Sequence, residues 1–305
     1  MAYLFTHFTN DAKEDKEHIW FAVSRDGLFW QDLGSDEPLL TSLLGTTGIR
    51  DPFIVYDEKL KKYFIIATDL CTTKGGNWYD YSHKGSRSIL IWESENLLDW
   101  SDVRKVEVGI PGAGCVWAPE AVYCREKDCW MVFWASNVRE KRELFHKQRI
   151  YASYTKDFTE FTPAFKFMEK KVSLIDTNIV WDNGWYYRFT KDETNKHIIL
   201  ERCRTLVPEN GEEYETIHSD YFASFFGLEG PECYRLPDGR WCLIVDRYHT
   251  KKGYLPVVCD DLSTGVYSEL PSDCYDMGKR KKRHGGVIEI TDEQMNQLIE
   301  KYSIN

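Results

Sequence analysis

Five short stretches hold the residues with which this chain could do acid–base chemistry: "RDP" at Asp51, "APE" at Glu120, "IDT" at Asp176, "EGP" at Glu229 and "RHGG" at His284. Each lies where a turn-forming segment meets a strand-like run, so the acids sit on tightly specified backbone. Carboxylates that meet in pairs can divide a hydrolysis between them, one giving a proton and the other taking one from water. A lone acid beside Gly-Pro is ordinarily a turn residue. The chemistry therefore depends on whether the five stretches converge.

The elements that must position them are strands. Aromatic-rich runs occur five times, as "AYLFTHFT", "KYFIIATD", "CWMVFWAS", "WYYRFTKD" and "RWCLIVDRY", and each is followed after a loop by a second strand-like run. A third class, "RDPFIVYDE", "APEAVYCREKD", "DTNIVWDNG" and "EGPECYRLPDG", precedes four of these pairs. Its fifth member is displaced to the C-terminus as "RHGGVIEITDE". Anchored on Asp51, Glu120, Asp176, Glu229 and His284, the spacings are 69, 56, 53 and 55 residues, which suits a radially repeated unit of about 50 residues. The expectation is an all-β, five-bladed β-propeller that takes up residues 1–305 as one domain. The C-terminal strand closes the ring as the innermost strand of the blade built from residues 3–30, which also reduces unpaired sheet edges. Residues 71–88 form an insertion in the first blade. The helical pattern "TDEQMNQLIEKY" opens with a capping box from Thr291 and Gln294. Innermost strands start at one mouth of a propeller channel, so the four acids and His284 are expected to meet on the axis.

Composition narrows the partners. A formal net charge of −10 disfavours nucleic acid, whose nonspecific binding rests on excess Lys and Arg. The basic run "GKRKKRHGG" at 278–286 is read as a solvated loop beside the closure strand. No apolar run approaches the roughly 18 residues that cross a bilayer, and the N-terminus has no leader pattern; the expectation is a cytoplasmic protein with no membrane partner. Nine cysteines, odd in number and without a CxxC pair, read as reduced and mostly buried. An aromatic content of 15%, with 11 Trp and 18 Tyr, exceeds what packing requires and suits the faces of sugar rings. GxSxG, Walker, GxGxxG and HExxH motifs are absent, which removes the common serine-hydrolase, nucleotide and zinc-protease readings.

In this order and spacing, "RDPFI", "WAPEAVY", "IDTNIV", "LEGPE" and "RHGGVI" resemble glycoside hydrolase family 43, inverting arabinofuranosidases and xylosidases on a five-bladed propeller, over essentially the whole chain. The resemblance implies that Asp51 is the general base, Asp176 the carboxylate that tunes the acid, and Glu229 the general acid. Thr177 stands where much of the family has proline, and Glu120 where it has aspartate, so Glu120 is expected to shape a sugar subsite. It further implies that His284 helps to hold a structural calcium ion on the axis, often through water, with a satisfied polar residue at the closure strand the alternative, while the chemistry itself requires no cofactor. The blades of Asp51 and Glu229 are not ring neighbours and so face each other, as inversion requires with carboxyls roughly 6.5–9.5 Å apart. Asp176, on the blade beside Glu229, is expected to hold that acid protonated near neutral pH.

Trp117, Trp78 and Tyr79 are candidates for sugar stacking, with core packing the alternative for Trp117. Arg188 is a candidate to orient a carboxylate or hydroxyl, with a structural ion pair the alternative. The expected partner is an oligosaccharide that loses a terminal pentose, α-L-arabinofuranose first and β-D-xylose second. A silent sugar-binding propeller is the non-catalytic alternative, and the retention of all three acids argues against it.

Overall fold

The computed structural model describes residues 1–9, 17–34, 37–209 and 212–302. The chain opens with β1 (Ala2–His7), β2 (Trp20–Ser24) and β3 (Gln31–Asp32). Blade 1 follows as β4 (Ile49–Asp57), β5 (Lys62–Asp69), β6 (Ser88–Ser94) and β7 (Arg104–Glu107), with α1 (Trp78–His83) in the insertion between β5 and β6. Blade 2 is β8 (Trp117–Cys124), β9 (Cys129–Val138), β10 (Lys147–Thr155) and β11 (Phe165–Met168). Blade 3 is β12 (Leu174–Asp182), β13 (Trp185–Asp192), β14 (His197–Cys203) and β15 (Glu215–Ile217); α2 (Asp220–Ser224) leads on to blade 4. That blade is β16 (Glu229–Arg235), β17 (Trp241–Asp246), β18 (Tyr254–Cys259) and β19 (Ser268–Glu269), and the described chain ends in β20 (Gly285–Ile290) and α3 (Asp292–Tyr302).

Each sheet is a four-stranded antiparallel meander, except the fifth, whose order is β20-β1-β2-β3. There the displaced strand lies inside β1, with Ile288 opposite Leu4 and Val287 opposite Phe5, and the ring is closed as the repeat predicts. Gly286 is required at this seam, because a Cβ there would come within 2.9 Å of the Ile54 nitrogen and 3.1 Å of the Phe53 Cα on β4. The capping box of α3 is present, with Thr291 N–H donating to Gln294 Oε1 at 2.9 Å and Gln294 N–H to Thr291 Oγ1 at 3.1 Å. No described helix is long and apolar enough to cross a membrane.

The core lies between the blades. Alternate residues of one strand serve opposite neighbours: Tyr63 and Ile65 of β5 pack toward the closing blade, whereas Phe64 and Ile66 pack toward blade 2. Five such clusters fill the five seams of the ring. Sheets covered on both faces need near-continuous apolar strands, and this accounts for most of the aromatic surplus that the composition had suggested for sugars. Trp92, Trp134, Tyr186 and Phe133 are all fully buried in these seams.

One local feature repeats with the blades and sets up the site. The inner strands β4, β8, β12 and β16 each carry a register shift near their start, and each places one residue there in left-handed backbone: Asp51 (φ +50), Ala118 (φ +46), Asp176 (φ +47) and Gly230 (φ +52). A bulge adds one residue to one strand and re-aims the side chains beside it. Positive φ is uncommon outside glycine, and aspartate tolerates it better than most. The bulges align Asp51, Ala118, Asp176 and Gly230 as equivalent positions.

Candidate active site

The bulges sort the inner-strand residues into two layers. Those at and just before the bulge, Arg50, Asp51, Trp117, Ile175, Asp176 and Glu229, line a cavity of about 350 Å³ at one mouth of the axis. Those two residues beyond it in blades 2 to 4, Glu120, Asn178 and Glu232, project into the axis below. The remaining cavity wall comes from Phe8, Leu70, Trp78, Lys191, Glu193, Tyr248, Arg283 and His284.

Asp51 is fixed from two sides. Thr68 Oγ1 donates to its Oδ2 at 2.9 Å, and the same hydroxyl accepts from the Ala118 N–H at 2.8 Å, so the donor cannot rotate away. His284 Nδ1 lies 3.5 Å from the other oxygen. Burial pushes the carboxyl up, but hydrogen bonding and charge from His284, with Arg50 behind it, outweigh burial and hold Asp51 below the ordinary aspartate value. His284 itself is buried and carries carboxylates on both ring edges, with Nε2 at 3.4 Å from Glu120 Oε1 and Nδ1 also at 3.9 Å from Asp176 Oδ1. Burial works against its charge, yet contacts with Asp51 and Glu120 raise it well above the usual histidine range, so it sits on the axis as an imidazolium.

Glu229 has a different neighbourhood from the one expected. Lys191 Nζ reaches its Oε2 at 2.7 Å and Arg283 Nη2 its Oε1 at 2.7 Å, while Arg283 Nε also contacts the buried Asp246 at 2.5 Å. Burial pushes Glu229 up, and the two cations more than offset it, so its carboxyl is held below the usual glutamate value. Asp176, whose Oδ2 accepts the Gly230 N–H at 3.1 Å, is instead pushed up to about 6: burial dominates, His284 and Lys191 oppose it, and Glu229 and Asp51 add to it. The expectation that Asp176 keeps Glu229 protonated in the free site is therefore reversed, because Lys191 and Arg283 stand closer to Glu229 than any acid does. Below about pH 6 these opposite shifts favour Asp176 over Glu229 as the protonated member of the pair.

Several candidates fall outside the cavity. Glu120 is 1% exposed and lies one layer below, where Asn178 Nδ2 bridges Glu120 Oε2 at 2.9 Å and Glu232 Oε2 at 2.7 Å. Its blade offers Ala118 at the position equivalent to Asp51, so Glu120, expected to shape a sugar subsite, does not line the cavity. Arg188 is in mid-strand on β13, paired with Glu201 at 2.7 Å and stacked 3.6 Å from the Tyr214 ring centroid; it is a structural ion pair. The cation of that strand that reaches the cavity is Lys191, nearer its mouth end. Trp78 and Trp117 both line the cavity and meet edge to face at 6.0 Å, whereas Tyr79 points outward and stacks on His83 at 4.0 Å.

Among the described residues the axis offers no direct side-chain ligand set for a calcium ion. Calcium takes six to eight oxygens, whereas among the described residues no three His, Cys, Asp or Glu side chains converge to hold a metal. The axial oxygens are engaged by Asn178, the Val287 N–H at 2.7 Å from Glu232 Oε1, and the His284 ring. The acids that would have needed a cation have an imidazolium instead. Crowding leaves Glu120 pushed up to about 7 by burial and Glu232 well above its ordinary value by burial and by Glu120.

Gly230 shows how tightly the layers fit. A Cβ there would come within 2.9 Å of His284 Cγ, in backbone that L-residues adopt at a cost of about 1–2 kcal/mol. Gly230→Ala is expected to lower unfolding free energy by at least that amount, measured by denaturant titration, and to displace His284 from Asp51. An unchanged midpoint would show that the bulge is not under this constraint.

The five-bladed ring brings three carboxylates, Asp51, Asp176 and Glu229, into one axial cavity, the kind of acid set with which a propeller glycoside hydrolase can work. The chain belongs to the family described as a probable glycosyl hydrolase domain, related to glycoside hydrolase family 43, whose profile it matches over residues 1–296. It is 27% identical over 253 residues to an α-L-arabinofuranosidase of Bifidobacterium longum, a match covering 72% of this chain and 24% of that protein; the matched segment spans about a quarter of the relative's length. Among solved structures, it is similar in fold to an endo-1,4-β-xylanase from Bacteroides thetaiotaomicron, at TM-score 0.60 and 13% identity over 93% of each chain. It is also similar to an exo-β-1,3-galactanase from Phanerochaete chrysosporium, at TM-score 0.57 and 12% identity over 88% of this chain and 64% of the other.

Proposed function

We propose that the cavity hydrolyses a terminal glycosidic bond with inversion, Asp51 acting as general base, Glu229 as general acid and Asp176 as the carboxylate that shares its proton. The observation that carries this reading is the unequal treatment of the acids. Asp51 is held ionised by Thr68 and His284, as a base must be, while Asp176 and Glu229 share a proton beside it. A binding module has no need for such a division. In the reaction, Asp51 takes a proton from a water poised at the anomeric carbon, that water's oxygen forms the new C–O bond, and the old C–O bond breaks as Glu229 gives its proton to the leaving oxygen. Asp51 ends protonated and Glu229 ionised, and exchange with solvent restores both.

The floor of the cavity supports exo action. His284 closes the cavity from below, and a space of about 350 Å³ walled by Phe8, Leu70 and the Trp78–Trp117 pair has room for a chain end rather than a continuous chain. The glycone assigned is α-L-arabinofuranose, for which the support is the name of the Bifidobacterium relative. Hydrolysis of aryl α-L-arabinofuranoside, aryl β-D-xyloside and aryl β-D-galactoside, with the configuration of the first-formed sugar followed by NMR, tests both parts. Arabinose released with inversion is the expected result. Turnover of the xyloside or galactoside instead would move the glycone, and retention would overturn the roles of the acids.

A further inference from the structure

The charge of this chain is not evenly spread over the propeller. The two loops beside Glu229 are rich in cations, although the second also holds Asp273 and Asp276. One follows β17 and holds Arg247, Lys251 and Lys252; the other precedes β20 and holds Lys279 and Lys281. They pack against each other, since a Cβ on Gly253 would lie 3.6 Å from Lys281 Cγ, and Arg247 closes the first loop by donating to the Gly253 carbonyl oxygen. Their neighbours Lys282 and Arg283 are paired with Asp32, Glu229 and Asp246. The four lysines of the two loops make no ion pair with a carboxylate among the described residues, and Arg247 is bonded only to backbone oxygens of residues 252–254.

Both loops run directly into the cavity wall. Tyr248 and Arg283 line it, and Arg283 touches Glu229. The side of the cavity matters. A general acid protonates the leaving oxygen, so the departing part of the substrate lies on the Glu229 side, and whatever extends from it passes over these loops. An unpaired cationic surface has no structural purpose that the packing reveals. It attracts negative charge within about a Debye length, ~10 Å at 0.1 M salt.

We propose that this flank receives a leaving group bearing a carboxylate, so that the preferred substrates are oligosaccharides with a uronate near the bond that is cut. This rests on the assignment of Glu229 as acid. Nucleic acid is disfavoured as the occupant because the cations are confined to one side of a cavity whose own wall carries Asp51, Asp176, Glu193 and Glu229 on a chain of net charge −10.

The test compares two synthetic arabinosyl oligosaccharides that differ only in a glucuronate substituent one residue beyond the cleaved bond. For wild type, kcat/KM for the acidic substrate should exceed that for the neutral one by about tenfold at about 0.02 M salt, and by no more than about twofold at about 0.5 M. The quadruple variant Lys251→Gln, Lys252→Gln, Lys279→Gln, Lys281→Gln should lose that preference while hydrolysing a neutral aryl arabinofuranoside at the wild-type rate. Equal rates on the two oligosaccharides, or a preference that survives the variant, would overturn the proposal. Aryl-glycoside turnover reports the underlying assignment separately. If it is absent, salt-dependent calorimetric binding of the two oligosaccharides to wild type decides the flank, and equal binding of both counts against it. Duplex DNA of matched charge competing as well as the glucuronate oligosaccharide would replace the assigned occupant with a general polyanion.

Discussion

Asp51→Asn is expected to reduce turnover on every glycoside by about 10³-fold or more, near the upper part of the range that a general base supplies, while leaving the fold intact. Asparagine is the informative substitution because of the backbone. Asp51 sits at φ +50, where Asn is among the few residues tolerated, so the amide keeps the bulge and can still accept the Thr68 hydroxyl. Alanine would confound lost chemistry with strain. What Asn cannot do is take a proton from water. Azide, a small anion that needs no base, should restore part of the lost turnover on an activated aryl glycoside and yield a glycosyl azide of inverted configuration. Rates within threefold of wild type without azide would remove Asp51 from the role of base, and an azide product of retained configuration would remove the inverting geometry.

The sequence carried the architecture because the repeat is physical. Each blade needs an apolar strand covered on both faces, a turn on each side and an inner strand that begins at the mouth, and those demands recur in composition. The closure by "RHGGVIEITDE" was legible for the same reason, as a class of strand with one member out of place. The register within the inner strand was not. Anchoring blade 2 on Glu120 put an acid in the cavity wall, whereas the bulge makes Ala118 the partner of Asp51 and sends Glu120 to the layer of Asn178 and Glu232. A signal was present in the dipeptides Asp51-Pro52, Ala118-Pro119 and Gly230-Pro231, each a left-handed residue followed by proline, but a spacing argument built on acids passes over an alanine and a glycine. Lys191 and Arg283 were hidden differently. Their charges matter through contact with Glu229 from other strands, a three-dimensional fact that no local pattern encodes, and a search for carboxylates gives cations no weight.

The second large effect concerns the proton that Glu229 must deliver. In the free site it is held low between Lys191 and Arg283, while Asp176 is pushed up to about 6 chiefly by burial, which favours Asp176 as the carrier of the pair's proton. The competent form is the tautomer with that one proton on Glu229, and coupled groups of this kind lose protons as a pair. Above the pair's upper step both acids are ionised and neither can donate, so the alkaline limb of kcat/KM should fall near pH 6, not above neutrality. The signs for neighbours follow from charge. Asp176→Asn removes a negative charge that opposes ionisation of Glu229, so the limb moves to lower pH; Lys191→Met removes a cation that favours it, so the limb moves to higher pH. Glu229→Ala should cost about 10²–10⁴-fold on oligosaccharides, whose alkoxide leaving groups need protonation, and far less on a dinitrophenyl glycoside, whose leaving group departs as a stable anion. The measurement is kcat/KM against pH for the four proteins with both substrate types. Equal losses on good and poor leaving groups would show that Glu229 is not the acid. A limb that moved the same way in Asp176→Asn and Lys191→Met would show that these two side chains do not act through the charge they place beside it.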